Sequence, residues 1–427
     1  MTDTPAEPPR PESLEEIAPL AELCTMGLLF EVQEWIKKGK PVNLPLSRKS
    51  GSKTRSPLEI AIDQGFHSLV QVLLEGGAKQ ESFGYESPMV RALRTRRMDI
   101  AQLLVDNGFD PKQVDMDSVF ETWDPTIMSY FIKSGADPIT YNPFAKAFCN
   151  RIRTALRVFK ECKESVPELQ EQANIALRHH CREGNLKWVS LMLWLGADPN
   201  MPGTDNPDDD LEISQPHGQE NAHDQKEDDD QDQDQDNDEV KLTALEYAAL
   251  NRHYQIFDLK PIRTASNSPT SSRLLRYLTM GQGTEVLKKL LEKGMNPNDQ
   301  KNGGCSAIPF ALEAMAWRNP FSYSYSWKSD AQKEKLDNSD ARGYLKAIHI
   351  LAKHKALWKP KHCGEMNSAR RSLLNMKAEY TVEFVWIMTK FNGCDRADLN
   401  NLLRTSTMKN HLGTFLKKVN QMIRDWE

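Results

Sequence analysis

The stretch TRSPLEIAIDQGFHSLVQVLLEGGAK, residues 54–79, decides the fold of this chain. Its first half predicts a short helix that begins at Ser56-Pro57-Leu58 and ends before Gly65. Its second half predicts another helix, because apolar residues recur there at helical spacing: Leu69, Val70, Val72, Leu73 and Leu74. Two helices this short cannot bury their apolar faces alone, so the stretch predicts neighbours of the same kind.

Similar segments recur on both sides of this stretch. One begins at Ser87-Pro88-Met89, with Pro88 31 residues after Pro57, and another ends in Gly196-Ala197-Asp198-Pro199. The segments resemble the ankyrin repeat, in which T/S-P-L begins an inner helix, a glycine turn follows, and V-x-x-L-L-x-x-G-A ends the outer helix. We count about ten helix pairs, a number that fits repeats of this length. The resemblance implies an all-α, ankyrin-like solenoid of stacked helix pairs.

Charge and composition divide the chain further. We expect a flexible N-terminal tail at 1–13, N-terminal ankyrin repeats at 14–200, and divergent C-terminal ankyrin-like repeats with a cap at 241–427. Residues 201–240 hold 1 Lys/Arg against 16 Asp/Glu and few apolar residues, which predicts a disordered, acidic low-complexity insert. A second, aromatic insert is predicted at 318–342. Residues 241–427 carry a net charge of +13, although the whole chain of 427 residues carries −5.

Composition also narrows the classes of protein. Seven cysteines without a C-x-x-C pair predict buried thiols in a reducing compartment. No run of eighteen apolar residues predicts a membrane span, and the first residues lack the apolar segment of a signal peptide. We therefore expect a cytoplasmic protein with no membrane partner.

No catalytic motif stands out, so the sequence predicts a non-enzymatic protein with no cofactor. His179-His180-Cys181 and His362-Cys363 are adjacent His/Cys groups, but neighbours on a helix point about 100° apart, so no metal site is predicted there. The acidic insert has acidic residues at the ligand spacing of a calcium loop: Asp228, Asp230, Asp232, Asp234, Asp236 and Glu239. Gln233 stands where such a loop needs glycine, so we expect weak divalent binding, a solvated loop, or an acidic cover for the basic C-terminal half.

Three features are candidates for partner binding. A basic cluster surrounds the end of the third predicted inner helix: Arg91, Arg94, Arg96 and Arg97. An aromatic strip alternates with serine, so that its members share one side of an extended chain: Phe321, Tyr323, Tyr325 and Trp327. Trp194 stands at a position that is usually polar in ankyrin repeats. Each feature is also compatible with an ordinary structural role: a solvated face for the arginines, and packing against the chain's own repeats or insert for the aromatics.

The resemblance to ankyrin repeats implies recognition of a protein partner through the concave face and the finger loops. The first hypothesis is therefore a non-enzymatic interaction or scaffold protein. The second is a nucleic-acid-associated subunit that uses the basic C-terminal half, with the acidic insert as an intramolecular mimic. The third is an enzyme with divergent chemistry in the C-terminal third. The sequence leaves the identity of the partner and the oligomeric state open.

Overall fold

The computed structural model describes residues 9–46, 54–79, 86–209, 241–264, 272–298, 307–316, 338–359 and 366–425. The regular elements in these ranges are helices, which confirms the all-α class; isolated bridges join Gly203 to Leu242 and Trp358 to Cys394. Contacts group the chain into two compact units. The first is Met1–Ala173 with Pro207–His217, and the second is Asn174–Asn206 with Gly218–Glu427.

Consecutive helix pairs build the first unit. The pairs are α1 (Leu14–Met26) with α2 (Leu29–Lys37), α3 (Pro57–Asp63) with α4 (His67–Glu75), α5 (Pro88–Arg94) with α6 (Met98–Asp106), α7 (Met116–Glu121) with α8 (Pro125–Lys133), and α9 (Pro143–Cys149) with α10 (Thr154–Cys162). The first helix of each pair contacts the first helix of the next. Within the predicted tail, Arg10 donates from Nη1 to the Leu44 carbonyl at 3.1 Å.

The second unit also consists of helices, which range from 5 to 16 residues in length. They are α11 (Leu169–Glu183, which spans the boundary), α12 (Leu186–Trp194), α13 (Ala244–Leu250), α14 (Lys260–Thr264), α15 (Ser272–Met280), α16 (Thr284–Glu292), α17 (Ile308–Ala316), α18 (Asn338–Lys353), α19 (Met366–Asn375), α20 (Ala378–Lys390), α21 (Arg396–Leu403), α22 (Ser406–Leu412) and α23 (Leu416–Arg424). Helix α18 takes in residues 338–342 of the predicted aromatic insert. The C-terminal segment from Arg396 forms three α-helices, α21 to α23.

Helix α3 shows why these short helices form. Ser56 accepts a hydrogen bond from the Glu59 backbone and Glu59 accepts one from the Ser56 backbone, a capping box that satisfies two N–H groups at the helix start. Pro57 occupies the first helical position, where its missing N–H costs nothing. Ala61 and Ile62 face the interior with no exposed surface. Helix α13 begins with the same kind of capping box.

A recurring turn joins the two helices of a pair. One residue in each of several such turns has a positive φ: Gly27, Gly65, Arg96, Trp123, Arg151, Gly184, Arg252 and Gln282. The turns at Gly65, Arg96 and Arg151 share one hydrogen-bond pattern, in which the next N–H donates to the carbonyl five residues back. The turn is therefore retained even where a larger residue replaces glycine.

Turns of successive pairs contact each other through the residue that follows the positive-φ position. The Phe66 ring lies on Gly27 and the Arg97 guanidinium lies on Gly65 in the first unit, and the His253 ring lies on Gly184 in the second. A Cβ on these glycines would approach those side chains to 2.9, 2.6 and 2.5 Å. These glycines are needed both for their backbone angle and for the space that they leave.

Candidate interaction surface

The loops that connect one helix pair to the next, here called the pair-to-pair loops, expose large apolar side chains. Apolar side chains on helices usually face the core, and loops are usually polar. Large apolar side chains that are exposed in loops are therefore informative. The exposed residues in pair-to-pair loops are Leu46, Ile139, Tyr141, Met201 and Leu357. The pair-to-pair loops of each unit therefore form a candidate interaction surface.

A buried side chain of α11 holds the loop between α8 and α9 in place. Gln172, which is 2% exposed, donates from Nε2 to the Pro138 carbonyl at 2.8 Å. Its Oε1 accepts from the backbone N–H groups of Phe144 at 2.8 Å and Ala145 at 3.2 Å. One buried amide thus fixes the loop and the start of the next helix together, so that little ordering remains to be done on binding.

Asp137 closes the same loop from its other end. Its Oδ1 accepts from the N–H of Ile139 at 2.8 Å and of Thr140 at 3.3 Å. Burial opposes ionisation of this carboxyl, but the hydrogen bonds from Thr140 and from the Ile139 backbone outweigh it and lower the pKa of Asp137. The ionised carboxylate therefore holds the backbone that presents Ile139, which is 42% exposed.

Tyr141 is the most unusual residue of this loop. It has φ +64° and Asn142 follows with φ +50°, a backbone conformation that costs larger residues about 1 kcal/mol or more each. The Tyr141 side chain is 54% exposed, and Lys146 Nζ lies 6.0 Å from its ring centre. Lys146 itself is paired with Asp117 at 2.7 Å and Asp208 at 3.4 Å. The loop thus adopts an unfavourable backbone conformation in which an aromatic ring is exposed to solvent.

The loop after α12 uses a comparable device in the second unit. Arg178 is 1% exposed and donates to the carbonyls of Met201 at 3.2 Å and Thr204 at 2.5 Å. Asn174 Oδ1 accepts from the Asp198 N–H at 2.9 Å. Met201, 47% exposed, is therefore carried on a backbone fixed by a buried guanidinium.

Asparagine side chains join other neighbouring loops in a two-bond pairing. Asn43 donates to the Gly77 carbonyl and accepts from the Lys79 N–H, both at 2.9 Å. Asn298 donates to the Lys355 carbonyl and accepts from the Leu357 N–H, both at 2.7 Å. The same pattern of two hydrogen bonds occurs once in each unit. It indicates that these neighbouring pair-to-pair loops position one another.

The predicted basic cluster is largely neutralised within the fold. Arg91 is 9% exposed, with Nη1 2.9 Å from Asp63 and Nε 3.7 Å from Glu59. Arg94 lies 3.3 Å from Asp63 and 3.1 Å from Glu86. These pairs give both arginines a structural role. Their contact with a partner stays a prediction.

Arg97 is also engaged inside the chain. Its guanidinium donates to Asp99 at 2.8 and 2.6 Å and to the Gly65 carbonyl. The hydrogen bond from Arg97 lowers the pKa of the Asp99 carboxyl more than burial raises it. Arg97 therefore serves the contact between successive turns.

Arg96 differs from the other three arginines. It is exposed at φ +55°, and its side chain makes no hydrogen bond or ion pair with the described residues. Trp123 occupies the same position of the next turn, at φ +58° and 61% exposed. Helices α5 and α7, which lead into these turns, contact each other. Arg96 and Trp123 are therefore both exposed at the same position of successive turns.

The other predicted residues divide into two groups. Trp194 is 58% exposed at the end of α12, whereas its neighbour Leu195 is 1% exposed. The aromatic strip Phe321, Tyr323, Tyr325 and Trp327 lies outside the described residues, as do the acidic positions Asp228, Asp230, Asp232, Asp234, Asp236 and Glu239. Sequence reasoning missed Ile139, Tyr141 and Met201, which follow the G-A-D-P turns that it did find.

Three cysteines are buried thiols. Burial raises the pKa of Cys24 and of Cys394 to about 12 and raises that of Cys181 further. Since the thiolate is the nucleophile, these groups are unreactive at neutral pH.

Comparison with known proteins found no family model that matches the chain and no match among curated proteins. Among the described residues, no helix combines the length and the apolar character needed to cross a membrane.

Proposed function

We propose that this chain is a non-enzymatic interaction protein, an ankyrin-like solenoid that recognises a protein partner through its pair-to-pair loops. The observation that carries the proposal is the loop between α8 and α9, which holds Ile139 and Tyr141 in solvent on a fixed backbone. A rigid surface loses little conformational entropy on binding. Exposed aromatic residues are also frequent among the residues that dominate binding energy at protein interfaces.

The chemistry of the loops favours a protein over a nucleic acid. The exposed groups are apolar side chains, and the predicted arginine cluster is balanced by Asp63, Glu59 and Glu86. A nucleic-acid surface needs several uncompensated cations that neutralise phosphates. The partner is therefore expected to present an apolar patch to the loops, with salt having little effect on affinity.

The test compares two double variants of equal chemistry. I139S/Y141S removes the apolar groups of the loop, and M26S/F30S removes two exposed apolar groups from the first helix pair, where Met26 is 57% and Phe30 76% exposed. Each tagged protein is treated with nuclease, mixed with cell extract, and its bound proteins are quantified by mass spectrometry. We expect a partner that is retained by the wild type and by M26S/F30S and lost by I139S/Y141S.

Two outcomes would refute the proposal. In the first, the same proteins are retained by all three chains. In the second, retention disappears after nuclease treatment and purified chain binds RNA or DNA with steep salt dependence, which would establish the nucleic-acid alternative instead.

A further inference from the structure

One cluster outside the interaction surface has the composition of a metal site. At the C-terminal end of α11, ligand atoms of His179, His180 and Glu183 all lie within 4.8 Å of one another. His179 Nε2 and His180 Nδ1 each lie 3.5 Å from a Glu183 carboxylate oxygen. Two histidines that cannot chelate as neighbours are thus brought to one carboxylate, which stands four residues after the first and three after the second.

The spacing of these atoms suits a small transition-metal ion. Zinc binds imidazole nitrogen and carboxylate oxygen at about 2.1 Å, so two tetrahedral ligands lie about 3.4 Å apart. The two nitrogen–oxygen distances, each 3.5 Å and each to a different oxygen of the Glu183 carboxylate, are close to this value. Rotation of the partly exposed His179 ring and Glu183 carboxylate would direct two nitrogens and one oxygen at a single ion, with the buried His180 ring in place.

The surroundings favour a positive charge. The carbonyl end of a 15-residue helix carries a partial negative charge, which stabilises a cation in the last turn. The nearby Arg182 is directed to Asp205, with its Nη1 2.6 Å from the carboxylate. The positive charge of that guanidinium is therefore balanced by the Asp205 carboxylate.

The packing provides both support and access. The His180 side chain is fully buried, and its ring centre lies 5.5 Å from that of Trp188, which limits the ring's freedom. The side chains of His179 and Glu183 are 18% and 36% exposed, so an ion can reach them from solvent. A fixed ligand beside two accessible ones is a suitable arrangement for reversible binding.

We propose that His179, His180 and Glu183 bind one divalent ion of the zinc class, with water in the remaining coordination positions. Imidazole with carboxylate favours Zn²⁺ and Co²⁺ over the hard ions Ca²⁺ and Mg²⁺, which prefer oxygen ligands. The bound ion stabilises the end of α11 and the turn at Gly184.

Cobalt titration of the full chain, without an affinity tag and in excess Mg²⁺ to occupy oxygen-only sites, tests the proposal. We expect one Co²⁺ per chain, with the visible absorption of a nitrogen-coordinated ion, displaced by Zn²⁺. H179A and E183Q are expected to weaken binding by about tenfold or more, because each removes one of three ligands. Zn²⁺ should also raise the thermal unfolding temperature of the wild type and not of H179A.

His67, in α4 of the first unit, provides the matched control, and H67A should bind Co²⁺ like the wild type. Circular dichroism establishes that H179A and E183Q retain the helical content of the parent, which is expected because both side chains are partly exposed. The proposal is overturned if the wild type binds no Co²⁺ under these conditions. It is also overturned if folded H179A and E183Q bind with wild-type affinity.

Discussion

Replacing Gly184 by alanine tests the contact between successive turns. Gly184 has φ +74°, and a Cβ at this position would lie 2.5 to 2.8 Å from three atoms of the His253 imidazole. The ring cannot move away without loss, since His253 Nε2 donates to the Arg182 carbonyl at 3.0 Å. The substitution therefore acts in two ways, through the backbone angle and through the ring.

The two contributions can be assigned separate magnitudes. A left-handed conformation costs a residue with a Cβ about 1 kcal/mol. Forcing an extra carbon against a fixed ring costs about 1–3 kcal/mol more. We expect G184A to lower the free energy of unfolding by about 2–4 kcal/mol in all.

Urea unfolding followed by circular dichroism measures these changes, and a double-mutant cycle separates them. In H253A the ring is absent, so adding G184A should cost only about 1 kcal/mol, the backbone part. Hydrogen exchange of the amides around residue 185 gives a local measure, because the Asn185 N–H donates to His180 at this turn. If G184A costs the same in the wild type and in H253A, the contact has no energetic role and our reasoning is wrong.

Three further predictions concern other parts of the chain. Q172L removes the hydrogen bonds of the Gln172 amide to the loop between α8 and α9 and to the start of α9, so we expect a loss of about 2–3 kcal/mol and faster hydrogen exchange at residues 138–145. R91A removes the buried cation that pairs with Glu59 and Asp63 and should cost about 3 kcal/mol in urea unfolding; an equally stable R91A would contradict the structural role of these pairs. Burial, together with Lys390 and Lys353, lowers the pKa of His349 below the ordinary histidine value of 6.5. The unfolded chain therefore binds the proton more readily than the folded chain, so the free energy of unfolding falls as the pH drops below about 6.5. H349Q should show a smaller fall in unfolding temperature between pH 7.5 and 5.5 than the wild type, and an equal fall would exclude this histidine as a cause.

Local sequence rules predict much of the fold. The helix start at Ser56-Pro57 and the capping residue Thr243 are visible in the sequence because caps use few residue types at fixed spacing. The turn at Gly65 is predictable for the same reason. Arg96 and Trp123 occupy the same left-handed position, yet nothing in those residue types indicates it. Propensity cannot locate a turn whose conformation is imposed by the helices on either side.

The candidate surface was harder to predict than the fold. The G-A-D-P turns mark where the loops begin, but the loop that carries Tyr141 is held by hydrogen bonds to Gln172, a residue 31 positions further on. The arginine cluster shows the opposite limit. Arg91 and Arg94 have the pattern of an exposed basic face, but their carboxylate partner Asp63 comes from the preceding helix pair. Ion pairs between neighbouring helix pairs are not visible in a pattern taken one helix pair at a time.

The contacts between turns also determine how the chain can be divided. The glycine of each contact belongs to one helix pair and the side chain that covers it belongs to the next, as with Gly27 and Phe66. If the chain is divided between two pairs, one fragment keeps a glycine that no side chain covers, and the other keeps a ring without its packing partner. A fragment or graft that keeps its stability must therefore carry both residues, so the smallest transferable segment is two neighbouring helix pairs.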